Sequence, residues 1–167
     1  AKQYKGWELM QPHLGRDLRG KVLGVVGMGR VGLSLAKSAL LGFNMKIIYY
    51  DSMPCQEIDA LGGKMVTFEQ LLKESDFISI HVPLTPQTRH MFGQEQFKLM
   101  KPAAIIINTS RGPVIDEQAL ADAIKNNLIG GAGIDVYEDE PEINSDLLNL
   151  EKHVVLAPHI GSATMET

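Results

Sequence analysis

The sequence predicts an α/β fold: a doubly wound parallel sheet with helices on both faces, in a single three-layer domain. Three observations carry that expectation. Short runs rich in Val and Ile alternate with amphipathic stretches along the chain, and strands that alternate with helices pair in parallel. Runs such as "AIIIN" at 104–108 are apolar at nearly every position, which means both faces of the sheet are covered. A glycine-rich turn, "GMGRVG" at 27–32, lies between the first strand and the first helix.

Residues 1–19 include Trp7 and read as an extended arm, with the domain proper at 20–167. Within it, the segments 21–26, 46–50, 77–82, 104–108, 131–136 and 153–156 are too short for core helices and read as strands, with 64–66 a weaker one. Helices are expected at 30–41, closed by Gly42, and at 68–74, where Thr67 is the N-cap and Gln70 completes a capping box. Two more are expected at 94–99 and at 117–126, the latter after Asp116.

Composition narrows the function. The 167 residues are 44% hydrophobic, enough to fill the core of one ordinary domain. With 16 basic against 20 acidic residues, the net charge of -4 argues against a nucleic-acid partner. The single cysteine, Cys55, forms no internal disulfide framework, and no apolar run reaches the length of a membrane span. The expectation is a cytoplasmic protein.

Gly27, Gly29 and Gly32 make a G-x-G-x-x-G pattern directly after a strand and directly before a helix. The first allows a tight turn, the second lets a pyrophosphate approach the backbone, and the third lets helix and strand pack closely. Asp51 at the tip of the next strand accepts hydrogen bonds from a ribose diol and repels a 2'-phosphate, which favours NAD over NADP. The expected fold is therefore Rossmann-type, with ligands at the carboxyl ends of the strands. Arg30 either adds a phosphate contact or is a solvated helix residue.

A hydride-transfer site needs a cation to hold an anionic substrate and an acid for the developing alkoxide. Arg111 follows the strand "AIIIN", an expensive side chain to place there without a partner. Of the 5 histidines, His159 lies at the end of the last strand, and His81 at another strand end reads as cofactor-side wall. His13, His90 and His153 read as surface or loop residues, and no spacing suggests a metal site. A carboxylate beside an imidazole favours its charged form, so Glu140 would keep His159 a competent acid. The acidic neighbours Glu138, Asp139 and Glu142 leave open that Glu140 is simply solvated.

The segments "LRGKVLGVVGMGRVG", "HVPLTPQTRHM", "INTSRGPVIDEQAL", "GAGIDVYEDEP" and "APHIGSAT", in this order, resemble the D-isomer-specific 2-hydroxyacid dehydrogenases. The resemblance implies that Arg111 binds substrate, that Glu140 is the acid before Pro141, and that His159 is the proton donor and acceptor. It further implies that Val31, Val82, Pro83, Thr88, Thr109 and Gly161 line the cofactor and that Asp135 meets the nicotinamide carboxamide. The substrate would be a small 2-oxo or 2-hydroxy acid, and the arm and cofactor domain would carry a homodimer interface. In that family the cofactor domain is inserted within a substrate domain, so the present chain is expected to bind NAD but to turn over poorly. A different class is also open, because NAD-sensing corepressors share the fold and motifs. Formate dehydrogenases resemble the pattern too, but pair the histidine with glutamine where this chain has Glu140.

Overall fold

The computed structural model describes residues 15–150 and 153–165. Trp7, His13 and most of the expected arm lie outside the described residues. One parallel sheet of seven strands runs in the order β3-β2-β1-β4-β5-β6-β7. Its strands are β1 (Val22–Val26), β2 (Lys46–Tyr50), β3 (Lys64–Met65), β4 (Phe77–Ile80), β5 (Ile105–Asn108), β6 (Gly131–Ile134) and β7 (Val154–Leu156). The helices are α1 (Arg30–Phe43), α2 (Gln56–Asp59), α3 (Phe68–Glu74), α4 (Gln94–Leu99), α5 (Glu117–Lys125) and α6 (Ser145–Leu148). A 3-10 turn, Gly112–Val114, follows β5.

Side-chain alternation sorts the strands into two cores. Leu23, Val25, Ile47 and Tyr49 pack with Ala36 and Ala39 of α1 on one face. Val26, Ile48, Ile78, Ile80 and Ile106 pack with Leu71, Phe97 and Leu120 of α3, α4 and α5 on the other. Both faces of the central strands are buried, which is why their sequences are apolar throughout. The strand order reverses at β1, so a crevice opens between the carboxyl ends of β1 and β4, the usual ligand position in such sheets.

Local capping corrects two expectations. Helix α1 runs past Gly42 to Phe43 and ends at Asn44, whose left-handed backbone (φ 54°) places its N–H on the Ala39 carbonyl. Asn tolerates that conformation, and so stops the helix where a glycine was expected to. At α3, Thr67 accepts from the Gln70 N–H as expected, but the Gln70 side chain donates to Glu74 instead of closing the box. Several strands stop short of their expected ends: β4 gives way after Ile80 and β6 after Ile134 to the loops that carry the site.

Candidate active site at the carboxyl edge of the sheet

The glycine turn after β1 is built for close approach. Gly27 has φ 95° and donates its N–H to the Tyr50 carbonyl at 2.9 Å, and a Cβ there would sit 2.7 Å from the His81 carbonyl carbon. At Gly32 a Cβ would lie 2.1 Å from the Gly27 oxygen, so helix α1 meets the turn only because that position lacks a side chain. Gly29 is different, since a Cβ there would meet nothing within 4 Å. Packing does not require that glycine, but an approaching ligand would. Helix α1 starts at Gly29 with no side-chain cap and no acidic residue in its first turn, so its leading amides and positive dipole end face the open edge. A pyrophosphate fits this cradle, with exposed Arg30 and Val31 beside it.

These two glycines should separate in experiment. Gly32→Ala is expected to destabilise the domain by about 1–3 kcal/mol, read from its chemical denaturation midpoint. Gly29→Ala is expected to leave that midpoint in place and weaken NADH binding about ten-fold or more, read by calorimetry. A Gly29→Ala variant with wild-type affinity would remove the pyrophosphate from this turn.

Asp51 closes the cofactor side. Its Oδ2 accepts from the Met28 N–H at 2.6 Å, and Oδ1 from the Ser52 N–H at 2.6 Å and hydroxyl at 3.0 Å. Burial pushes its carboxyl up, but these donors, joined by the Met53 amide, outweigh it and hold the group below the usual carboxylate range. The carboxylate thus stays ionised, with lone pairs left for a diol. The loop after β4 runs through His81, Val82 and Pro83, and the Thr88 hydroxyl donates to the Pro83 carbonyl at 2.7 Å and accepts from Thr85 N–H at 2.8 Å. Thr88 therefore shapes the loop from within. His81 is bonded to the Ser79 hydroxyl at 2.9 Å, and burial pushes its imidazole below its ordinary value, favouring the neutral ring.

Arg111, Glu140 and His159, 48 residues apart at their extremes, line one open cleft of roughly 530 Å³ together with Pro113, Val136 and Tyr137. His159 Nδ1 lies 2.9 Å from Glu140 Oε2 and 3.1 Å from Oε1. Glu140 is not a free member of a solvated acidic loop. The bond to His159 and a second from the Tyr137 N–H, at 3.0 Å, hold its carboxyl below the ordinary value. His159 sits in left-handed backbone with φ 56°, a conformation that costs a non-glycine residue about 1–3 kcal/mol.

Neighbouring residues hold that conformation, and their part is not visible in the sequence motifs. Buried Asp135 accepts from the Ile160 N–H at 2.8 Å and the Gly161 N–H at 2.6 Å, fixing the two residues after His159. A Cβ at Gly161 would lie 2.8 Å from Asp135 Oδ2, so a side chain there would displace the carboxylate that holds this segment. The Tyr137 hydroxyl donates to the Ala157 carbonyl at 2.7 Å, fixing the segment before His159. On the Arg111 side, buried Asn108 accepts from the Ser110 N–H at 3.0 Å and donates to the Arg111 carbonyl at 3.0 Å. The Arg111 guanidinium makes only a 2.6 Å bond to the adjacent Ser110 carbonyl and enters no ion pair among the described residues, which leaves its fork open to the cleft. Among the described residues no cluster of His, Cys, Asp and Glu is arranged to hold a metal ion, and no helix is long and apolar enough to cross a membrane.

Comparison with known proteins identifies the family. Glyoxylate reductase of Thermococcus litoralis is 57% identical over 166 residues, 99% of this chain and 49% of the relative. Glyoxylate/hydroxypyruvate reductase B of Salmonella newport is 48% identical over 155 residues, 92% of this chain and 48% of the relative. The chain thus spans about half the length of the curated relatives it matches. Among solved structures, D-lactate dehydrogenase from Aquifex aeolicus complexed with NAD and lactic acid superposes with a TM-score of 0.85 at 35% identity, covering 95% of this chain and 52% of that one. The family model for the NAD binding domain of D-isomer specific 2-hydroxyacid dehydrogenases matches residues 1–161. With that match laid over a seven-stranded parallel sheet and a glycine cradle shaped for a dinucleotide, the chain belongs to the D-isomer-specific 2-hydroxyacid dehydrogenase family, as its NAD-binding domain.

Proposed function

We propose that this domain serves an NAD-dependent reductase that interconverts a small 2-oxo acid and its D-2-hydroxy acid. The observation that carries the reading is the His159–Glu140 pair facing the same cleft as the Arg111 guanidinium, which enters no ion pair among the described residues. Glyoxylate is the first substrate to test, because the similar curated proteins are named glyoxylate reductases.

Arg111 grips the substrate carboxylate or carbonyl oxygen with its planar, permanently charged fork and aligns the reacting carbon. NADH, when bound, supplies the hydride that this carbon receives. With Nδ1 engaged by Glu140, His159 carries the transferred proton at Nε2 and delivers it to the carbonyl oxygen; in the opposite direction it takes that proton back. Glu140 fixes the ring's orientation and stabilises its charged form. Val82, Pro83, Thr109 and Asp135, in the segments that follow β4, β5 and β6, are assigned to the nicotinamide end of the cofactor.

The relatives extend to about twice this length, so the reading includes a substrate-binding portion outside these 167 residues. The 167 residues are expected to bind NADH and to oxidise it slowly or not at all with glyoxylate, hydroxypyruvate or pyruvate. Full-rate turnover by this chain in a steady-state assay would refute that division of labour. Residues 1–19 are assigned as an arm in a homodimer interface, and the lone Cys55 supports a reducing, cytoplasmic setting.

Cofactor choice is assigned to Asp51. Asp51→Ala is expected to weaken NADH binding about 10- to 100-fold, the scale of one or two charge-assisted hydrogen bonds, and to improve NADPH binding as the repelling charge goes. Unchanged NADH and NADPH dissociation constants would place the ribose elsewhere.

A further inference from the structure

We propose that Glu138 is a positioning residue: through His90 and Arg89 it latches the loop between β4 and α4 onto the segment that carries Glu140, and so sets Glu140 against His159. The inference rests on the dehydrogenase reading above and adds to it a group that acts through Glu140.

Glu138 is set apart from the acids around it. Asp139 and Glu142 are exposed, whereas the Glu138 side chain is only 23% exposed and its Oε1 accepts from His90 Nε2 at 2.6 Å and from Arg89 Nη2 at 3.2 Å. Its backbone N–H donates to Glu117 Oε1 at 2.6 Å, a buried carboxylate at the start of α5. The other end of the latch is equally anchored. His90 adopts left-handed backbone, φ 49°, with its N–H on the Pro113 carbonyl at 2.8 Å. Two residues on, the Phe92 N–H meets the Val114 carbonyl at 3.2 Å, and the Asp116 N–H meets the Phe92 carbonyl at 3.0 Å.

Three pieces of chain are joined here: the Glu138 carboxylate ties the loop after β4 to the segment from Tyr137 to Glu140, and the His90 backbone ties that loop to the turn that follows Arg111. Backbone packing already brings that turn and the Tyr137 segment together, since a Cβ at Gly112 would lie 1.9 Å from the Tyr137 carbonyl. Close packing sets how near they come, while the Glu138 side chain resists sliding and rotation of one against the other. Because Glu140 is two residues further along, a released segment moves the partner of the proton donor while leaving Arg111 and the cofactor cradle in place.

The charged groups around His159 are Arg111, Glu138, Asp139 and Glu140 in the cleft, with Asp135 behind it, so a positioning effect has to be separated from a simple field effect. Two variants in the full-length protein do this. Glu138→Gln keeps shape and an acceptor but removes the charge; His90→Gln removes the other half of the latch and leaves the carboxylate. Each is expected to lower kcat about ten-fold, the scale of one misplaced hydrogen bond, with KM for glyoxylate and the NADH dissociation constant within about two-fold of wild type. In both, the limb of the kcat/KM profile on which the donor loses its proton should move to lower pH, because a displaced Glu140 supports the imidazolium less well. A field effect alone would move the His90→Gln limb the other way or not at all. The double variant should be no worse than either single, as expected of two halves of one device.

The latch is overturned if the single variants lower thermal stability but keep a wild-type pH profile and kcat, or if their effects add in the double variant. His159→Asn belongs in the same series. If it retains turnover, the dehydrogenase reading itself fails; if it loses turnover while the latch variants behave as wild type, only the latch fails.

Discussion

Replacing His159 with asparagine in the full-length protein is expected to lower kcat about 10²- to 10⁴-fold, the usual contribution of a positioned general acid. The amide fills much the same space and can still donate toward Glu140, but it carries no transferable proton. NADH affinity should stay within about two-fold of wild type, because no hydrogen bond joins His159 to the turn after β1, the proposed pyrophosphate site, among the described residues. Equal loss of turnover and cofactor binding would mean that His159 serves the cofactor site. Glu140→Gln is the companion, since it keeps a hydrogen-bond partner for Nδ1 but removes the charge. The limb on which the donor deprotonates should then move to lower pH. The His159 bond holds the Glu140 carboxyl below its ordinary value.

Arg111→Met should cost about 10²- to 10³-fold in kcat/KM for glyoxylate, which corresponds to losing one or two charge-assisted hydrogen bonds to an anionic substrate. Methionine keeps much of the aliphatic volume, so a fold defect is not the expected cause. Among the described residues the guanidinium makes no tertiary hydrogen bond; it donates to the neighbouring Ser110 carbonyl. Arg111→Lys restores the charge without the planar fork and should recover only part of the loss. A fall of no more than about three-fold in Arg111→Met, measured under first-order conditions in substrate, would remove Arg111 from substrate binding. The two variants differ in kind, since His159→Asn acts on the chemical step and Arg111→Met on the approach to it.

Part of this site is legible in the sequence because several of its groups lie just past a strand end or at a helix start, where local pattern is strongest. Asp51 closes β2, Arg111 follows β5, and Gly27 to Gly32 join β1 to α1. Strand β2 and helices α3 and α4 fall within the expected bounds for the same reason. Helices α2 and α6 escape notice because four residues are too few to show a helical period. The end of α1 is misplaced because glycine is the more common left-handed terminator, and here Asn44 takes that conformation.

What holds the site together is less legible. Tyr137 reaches Ala157 across 20 residues, Asp135 reaches Gly161 across 26, and His90 reaches Glu138 across 48. Such contacts have no period and no local signature; they exist only once β4, β5, β6 and β7 lie side by side. His90 reads as a loop residue and Glu138 as a solvated acid when each is taken alone, and only their 2.6 Å contact changes both readings. Asp135 is similar. Its resemblance-based role is contact with the nicotinamide, whereas the structure shows it anchoring the backbone after His159, and one carboxylate with four lone-pair positions has capacity for both.

The central claim is that guanidinium, imidazole and carboxylate form one substrate site beside the bound cofactor. The most direct measurement is a crystal structure of the full-length protein with NADH and oxamate, an unreactive 2-oxo acid mimic. The account predicts that the Arg111 guanidinium binds the mimic and that His159 Nε2 stands about 3 Å from its oxo oxygen, with Glu140 still on Nδ1. A mimic bound away from Arg111, or a His159 ring turned from it while the cofactor is in place, would contradict the account.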